Sequence, residues 1–161
     1  MAALMLDDPQ ARYLIASDGG YGFVAPLEAL MSRSRRGKSA LTAPKGCVAL
    51  PPRACQGGVR VAVVTLTGHL LIFPLSELPE MSKGKGTRLI SIKGSDAANR
   101  VDFVRDIVVL RENATLIVHA GKQKRCFSQT DLQAYEGPMG QRGKALPKGY
   151  QKVRCLEVTT D

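Results

Sequence analysis

Tryptophan is absent, and aromatic residues make up only 5% of the 161 positions. Sheets that read single-stranded RNA do so by stacking bases on aromatic side chains, so this scarcity disfavours RNA as a ligand. Histidine is confined to His69 and His119. Cys47, Cys55, Cys126 and Cys155 form no C-x-x-C pair and have no histidine pair nearby, which argues against a zinc site. With nothing to indicate export, the four thiols read as reduced and mostly buried, as in a cytoplasmic protein. No apolar run approaches the roughly 20 residues of a membrane-spanning helix. The opening MAALMLDDPQ carries two acids and no basic stretch, unlike a secretory signal. No membrane insertion is therefore expected.

Acidic residues are missing from two long tracts. None occurs from Ala29 to Ser76, where Arg33, Arg35, Arg36, Lys38, Lys45, Arg53 and Arg60 fall. None occurs from Gly137 to Leu156, where Arg142, Lys144, Lys148, Lys152 and Arg154 fall. An ordinary solvated face mixes both signs, whereas segregation of this kind, with a net charge of +9, points to a polyanionic partner.

What the chain does have is a pattern repeated on itself. Leu14–Leu30 reads LIASDGGYGFVAPLEAL and Ala62–Leu78 reads AVVTLTGHLLIFPLSEL. Each is an apolar run, a Gly-centred turn, a second apolar run and Pro-Leu-x-x-Leu. A more divergent copy, LIVHAGKQKRCFSQTDL, covers Leu116–Leu132. Pro26 and Pro74 are 48 positions apart, and so are Leu30 and Leu78. The paired runs read as three β-hairpins, Arg12–Ser17 with Tyr21–Ala25, Arg60–Leu66 with Leu70–Leu75, and Ala114–His119 with Gln123–Phe127. Each Pro-Leu-x-x-Leu segment has the length of one helical turn. Ser39–Thr42 and Arg88–Ile92 read as short closing strands, and Ala2–Leu6 as the last strand of an earlier unit. Pro51–Gly58 and Gly94–Arg100 read as joints. The expected units are 1–50, 59–98 and 101–160. Repeats of this period stack units none of which buries its own apolar face alone.

A Gly-basic loop follows every hairpin: Arg36-Gly37-Lys38, Lys83-Gly84-Lys85-Gly86 and Arg142-Gly143-Lys144. The third loop is lengthened around Gly137–Gly140. One such loop is ordinary surface; three at matching positions suggest a shared cationic edge. Arg supplies a planar fork and Lys a point charge to phosphate, and glycine lets backbone N–H groups come close. The candidate nucleic-acid-binding residues are Arg33, Arg35, Arg36, Lys38, Lys83, Lys85, Arg88, Lys122, Lys124, Arg125, Arg142 and Lys144. No recognition helix accompanies them, so the expected contact is with the backbone of a nucleic acid rather than its bases. No catalytic residue is expected: the histidines form no dyad, and Ser82–Thr87 (SKGKGT) is not a nucleotide-binding P-loop.

RYLIASDGGYGF (12–23), LLIFPLSELPEMSKGKG (70–86) and ATLIVHAGKQKR (114–125) resemble the C-terminal domain of the A subunit of bacterial DNA topoisomerase IV, which is related to the C-terminal domain of the gyrase A subunit. The resemblance runs from about Arg12 to Val158. It implies an all-β fold, a propeller-like β-pinwheel of four-stranded blades in which each blade lends a strand to its neighbour, with about three blades here. It also implies a non-catalytic module that bends or wraps duplex DNA on a basic rim. Such a module helps a type II enzyme select crossings for ATP-dependent relaxation and decatenation. The nucleophilic tyrosine, and any ATP or Mg2+, would then belong to other domains, with no cofactor in this one. Implied partners are duplex DNA, the topoisomerase IV B subunit, a second A subunit and a chromosome-organising ATPase, in the bacterial cytoplasm at the nucleoid. The strings SRRGK (34–38) and QRGK (141–144) are incomplete versions of the gyrase Q-R-R-G-G-K-G box, which favours topoisomerase IV and weak wrapping. A reading from another class remains open, in which the disc is a docking platform for an acidic protein or the catalytic core.

Overall fold

A computed structural model describes residues 12–26, 46–50, 53–55, 58–81, 86–112, 114–150 and 152–160. Eleven strands run through them: β1 (Arg12–Ala16), β2 (Tyr21–Pro26), β3 (Arg53–Ala54), β4 (Gly58–Thr65), β5 (His69–Pro74), β6 (Thr87–Arg88), β7 (Val104–Arg111), β8 (Ala114–Ala120), β9 (Gln123–Phe127), β10 (Lys144–Ala145) and β11 (Val153–Thr160). The hairpins β1–β2, β4–β5 and β8–β9 are antiparallel pairs, each closed by a glycine-containing turn. The Pro-Leu-x-x-Leu segment of the second repeat makes one 3-10 turn, Leu75–Glu77. Its counterpart in the third repeat is the helix Gln129–Gln133, entered through a Ser128–Asp131 capping box that satisfies backbone donors at its start.

The strands form three sheets, ordered β3-β1-β2-β6, β10-β5-β4-β7 and β11-β8-β9. Two of them are completed from elsewhere in the chain. β6 follows the second hairpin but pairs with β2 of the first, with Tyr21 opposite Arg88. β10 follows the third hairpin but pairs with β5 of the second, with Lys144 opposite Leu70. Each repeat therefore closes the sheet of the repeat before it, which is the strand lending of a β-pinwheel. Glycine makes the crossing possible. Gly86 has φ +85°, and a Cβ there would run into the Gly22 carbonyl, so only a glycine brings β6 against β2.

The sheets stack as blades through two apolar layers. Between the first and second lie Leu14, Ala16, Val24, Val61, Val63, Leu71, Phe73, Val104 and Ile107, sealed by Leu78, Leu89 and Ile90. Between the second and third lie Ala62, Val64, Leu70, Ile72, Val108, Leu110, Leu116, Val118, Phe127 and Leu156, sealed by Leu132, Tyr135 and Leu146. Val61 through Val64 alternate between these layers, and all four are fully buried. That explains why β4 reads as a continuous apolar run. Cores of this density make each large side chain worth a few kcal/mol.

Four expectations change. The closing strand expected at Arg88–Ile92 is only the two-residue β6, Thr87–Arg88, because Leu89, Ile90 and Ile92 leave the sheet edge to bury in the first core. The joint Pro51–Gly58 contains β3, the terminal strand of the first sheet, because Tyr13 and Leu14 leave an edge that Arg53–Ala54 can pair. The joint Gly94–Arg100 contains a helical turn, Gly94–Ala98, that buries Ala97 against the first core. The thiols are not mostly buried: Cys55 is buried and Cys47 half-buried, whereas Cys126 and Cys155 lie exposed. Ala2–Leu6 and Ser39–Thr42 lie outside the described residues.

Candidate nucleic-acid interface

The three hairpin turns lie at one end of the blades. The Val104 N–H donates to the Asp18 carbonyl in the first turn, and Val104 pairs with Thr65 beside the second. The Arg105 Nε donates to the Val153 carbonyl at 3.2 Å, and Val153 pairs with Ala120 at the third. Strand lending brings basic residues to this same end. Arg88 is set beside Tyr21 at the start of β2, its Nη2 donating to the Tyr21 hydroxyl at 3.1 Å. Lys144 is set beside Leu70 near the start of β5. Lys122 and Lys124 occupy the corresponding place at the start of β9 and are exposed. Arg125 follows, its guanidinium 5.2 Å from the Phe127 ring and 5.9 Å from the Tyr150 ring.

Arg142 is tethered. Its Nη2 lies 3.7 Å from Oδ2 of Asp102, whose side chain is only 3% exposed. The same Asp102 carboxylate accepts from the Thr67 N–H and hydroxyl at 3.3 and 3.2 Å, holding the second turn. Asp18 does the equivalent work in the first turn, accepting from the Val48 N–H at 3.0 Å and from Arg100 Nη2 at 2.8 Å. Arg100 also stacks over Phe103 at 3.8 Å, and its bond to Asp18 holds its guanidinium pKa above the ordinary value. The buried carboxylates at this end are thus consumed internally. Arg88, Lys122, Lys124, Arg125 and Lys144 face no carboxylate within ion-pair distance among the described residues.

The opposite end differs in holding paired cations. Glu80 pairs with Arg12 at 3.4 Å and Glu136 with Arg60 at 2.8 Å. Glu112 and Asp131 are also exposed there. The hairpin-turn end therefore carries a row of cations without carboxylate partners among the described residues, whereas at the far end Arg12 and Arg60 are paired with carboxylates.

Two hollows adjoin the row. One, of about 510 Å³, reaches from Glu136 and Gly137 to Gln141, Arg142, Gly143 and Lys144, so a carboxylate shares its wall with the cations. The lengthened third loop forms part of its wall, and the Met139 N–H there donates to Glu77 at 3.2 Å. The second, of about 330 Å³, is lined by Gly121, Lys122, Gln123, Gly149 and Lys152. In the sequence Lys152 is only one cation of an acid-free tract; its place beside Lys122 depends on β11 returning along β8. His69, at the start of β5, bonds Thr67, and burial followed by the nearby Arg142 holds its pKa below the ordinary imidazole value. Burial pushes the Cys55 thiol up to about 11. Neither group has a reactive neighbour. Among the described residues no cluster of His, Cys, Asp or Glu is placed to hold a metal ion, and no helix is long and apolar enough to cross a membrane.

Arg33, Arg35, Arg36, Lys38, Lys83 and Lys85 lie outside the described residues. Of the twelve candidates, the row accordingly contains Arg88, Lys122, Lys124, Arg125, Arg142 and Lys144.

No family model matches the chain. It is 40% identical over 157 residues to the A subunit of DNA topoisomerase 4 from Pseudomonas aeruginosa, an alignment covering 96% of this chain and 21% of that protein. The chain thus spans about a fifth of the length of this curated relative. The solved structure of the E. coli ParC C-terminal domain superposes with TM-score 0.89 at 34% identity, covering 98% of this chain and 64% of that one. The DNA gyrase A C-terminal domain shares the fold, with TM-score 0.72 at 12% identity over 95% of this chain and 50% of that one.

Proposed function

Because the chain belongs with the C-terminal domains of the topoisomerase IV A subunit, we propose that it is the non-catalytic part of a type IIA topoisomerase that grips and bends duplex DNA. In this reading the cationic row follows a phosphate backbone across successive blades. The bent segment is presented to a catalytic core that carries the tyrosine and uses ATP and Mg2+. The module then helps select DNA crossings for relaxation and decatenation, in company with the topoisomerase IV B subunit, a second A subunit and a chromosome-organising ATPase, at the nucleoid in the cytoplasm. The observation that carries the reading is the row of basic residues along the hairpin-turn end of the blades, Arg88, Lys122, Lys124, Arg125 and Lys144. Cations without carboxylate partners on consecutive units suit a ligand that is itself a periodic row of negative charge. Nothing in the row is built to read a base edge.

The test is a mobility shift with random-sequence duplex at low salt. Binding should be indifferent to sequence and fall steeply with added salt, with a log–log slope of about −0.9 per phosphate neutralised. Absence of binding at low salt would favour the docking-platform reading instead.

A further inference from the structure

The three blades meet along the free edges of their terminal strands β3, β7 and β11. One carboxylate joins all three. Asp106, on β7, has a side chain only 13% exposed. Its Oδ1 accepts from Arg53 Nη2 on β3 at 3.0 Å and from its own neighbour, the Ile107 N–H, at 2.8 Å. Its Oδ2 accepts from the Leu156 N–H on β11 at 2.8 Å. Arg53 Nε closes a second bond to the Ile107 carbonyl at 3.0 Å, and the adjacent Arg105 reaches the Val153 carbonyl of β11. Backbone groups that a further strand would pair are thus satisfied by side chains, those of Asp106 and Arg105 from the middle blade and that of Arg53 from the first. Apolar layers alone leave two stacked sheets free to slide and rotate slightly; directional bonds to one carboxylate do not.

We propose that Asp106 is a positioning residue, fixing the angles between the three blades and so the curvature that the cationic row imposes on a bound duplex. The curvature half of this proposal rests on the DNA-binding reading above; the hub itself does not. Asp106→Asn keeps size and removes the charge. Both oxygens now face donors, so an amide must turn its NH2 against either Leu156 or Arg53, and one blade loses its tie.

The test uses the whole chain with Cys47 and Cys155 replaced by serine and spin labels on Cys126 and on a Val48→Cys substitution, reporting the distance between blades three and one. The unsubstituted hub should give one narrow distance distribution, and Asp106→Asn a broadened one with the cooperative melt retained. End-labelled duplex should then bind within about twofold of the parent but with reduced end-to-end energy transfer, a separation of bending from affinity that simple destabilisation does not produce. Should Asp106→Asn fail to fold, Arg53→Gln loosens the first blade alone and reports the same broadening. A narrow, unchanged distribution in the folded variants overturns the hub. Broadened distances with an unchanged bend overturn the link to curvature. A parent chain that binds no duplex overturns the proposed function and the curvature half with it, while the distance measurement still decides the hub.

Discussion

The second and third blades are built from the same repeat and end up as different objects. In the second, both faces of β4 are buried and the outer edge is closed by β10. In the third, β8 alternates buried and half-buried residues, and among the described residues no strand covers the outer edge of β9. Its outer face carries Ile117, His119, Lys124, Cys126, Cys155 and Glu157, with His119 bonded to Glu157 at 3.0 Å. A repeat inside a stack must be apolar on two sides. One whose second face meets water carries polar residues there, as capping units of repeat arrays do. The bare edge of β9 is lined with Gln, Lys and Arg, which discourages pairing with a stray strand. Those same cations extend the row that β6 and β10 begin.

The contrast can be broken most sharply in the cores. Phe73→Ala in the second blade opens a cavity among residues with no exposure, and should cost about 3–5 kcal/mol. His119→Ala on the outer face of the third should stay within about 0.5–1 kcal/mol. Urea unfolding measures both. Equal losses would mean that the outer face of the third blade is packed after all.

A smaller effect separates the closing strands from the open edge. Gly86→Ala forces a Cβ against backbone at positive φ, so its cost should exceed the about 1–2 kcal/mol of a left-handed residue alone. Gly121 in the third hairpin turn also has positive φ, 59°, but a Cβ there meets nothing within 4 Å. Gly121→Ala should show only the conformational cost. Hydrogen exchange at Leu89, whose N–H donates to Gly20 at 2.6 Å, should rise in the first variant and stay unchanged in the second.

Much of this was legible because it is local. Each hairpin announces itself by a glycine turn between apolar runs, and the 48-residue spacing of Pro26 and Pro74 exposes the repeat. The inner strands were harder. Arg53–Ala54 is two residues long and sits in a Pro/Gly-rich stretch, and β7 and β11 have no counterpart in the repeated hairpin motif. Burial of the thiols failed for a related reason. Whether Cys126 and Cys155 are covered depends on what stacks against the third blade, which no local pattern encodes. Arg142 was legible as a cation, but its tether to Asp102 spans 40 positions and emerges only when strand lending brings β10 to the second hairpin. Asp106 was invisible for the same reason, since its three partners come from three blades.

The most direct measurement compares charge reversal at the two ends of the blades. Arg88→Glu, Lys124→Glu and Lys144→Glu together should weaken duplex binding and flatten the salt slope by about 0.9 for each phosphate no longer neutralised, about 3 in all. Arg12→Glu and Arg111→Glu, at the far end, should leave the slope unchanged. Equal flattening by both sets, or none by the first, would contradict a phosphate track at the hairpin-turn end.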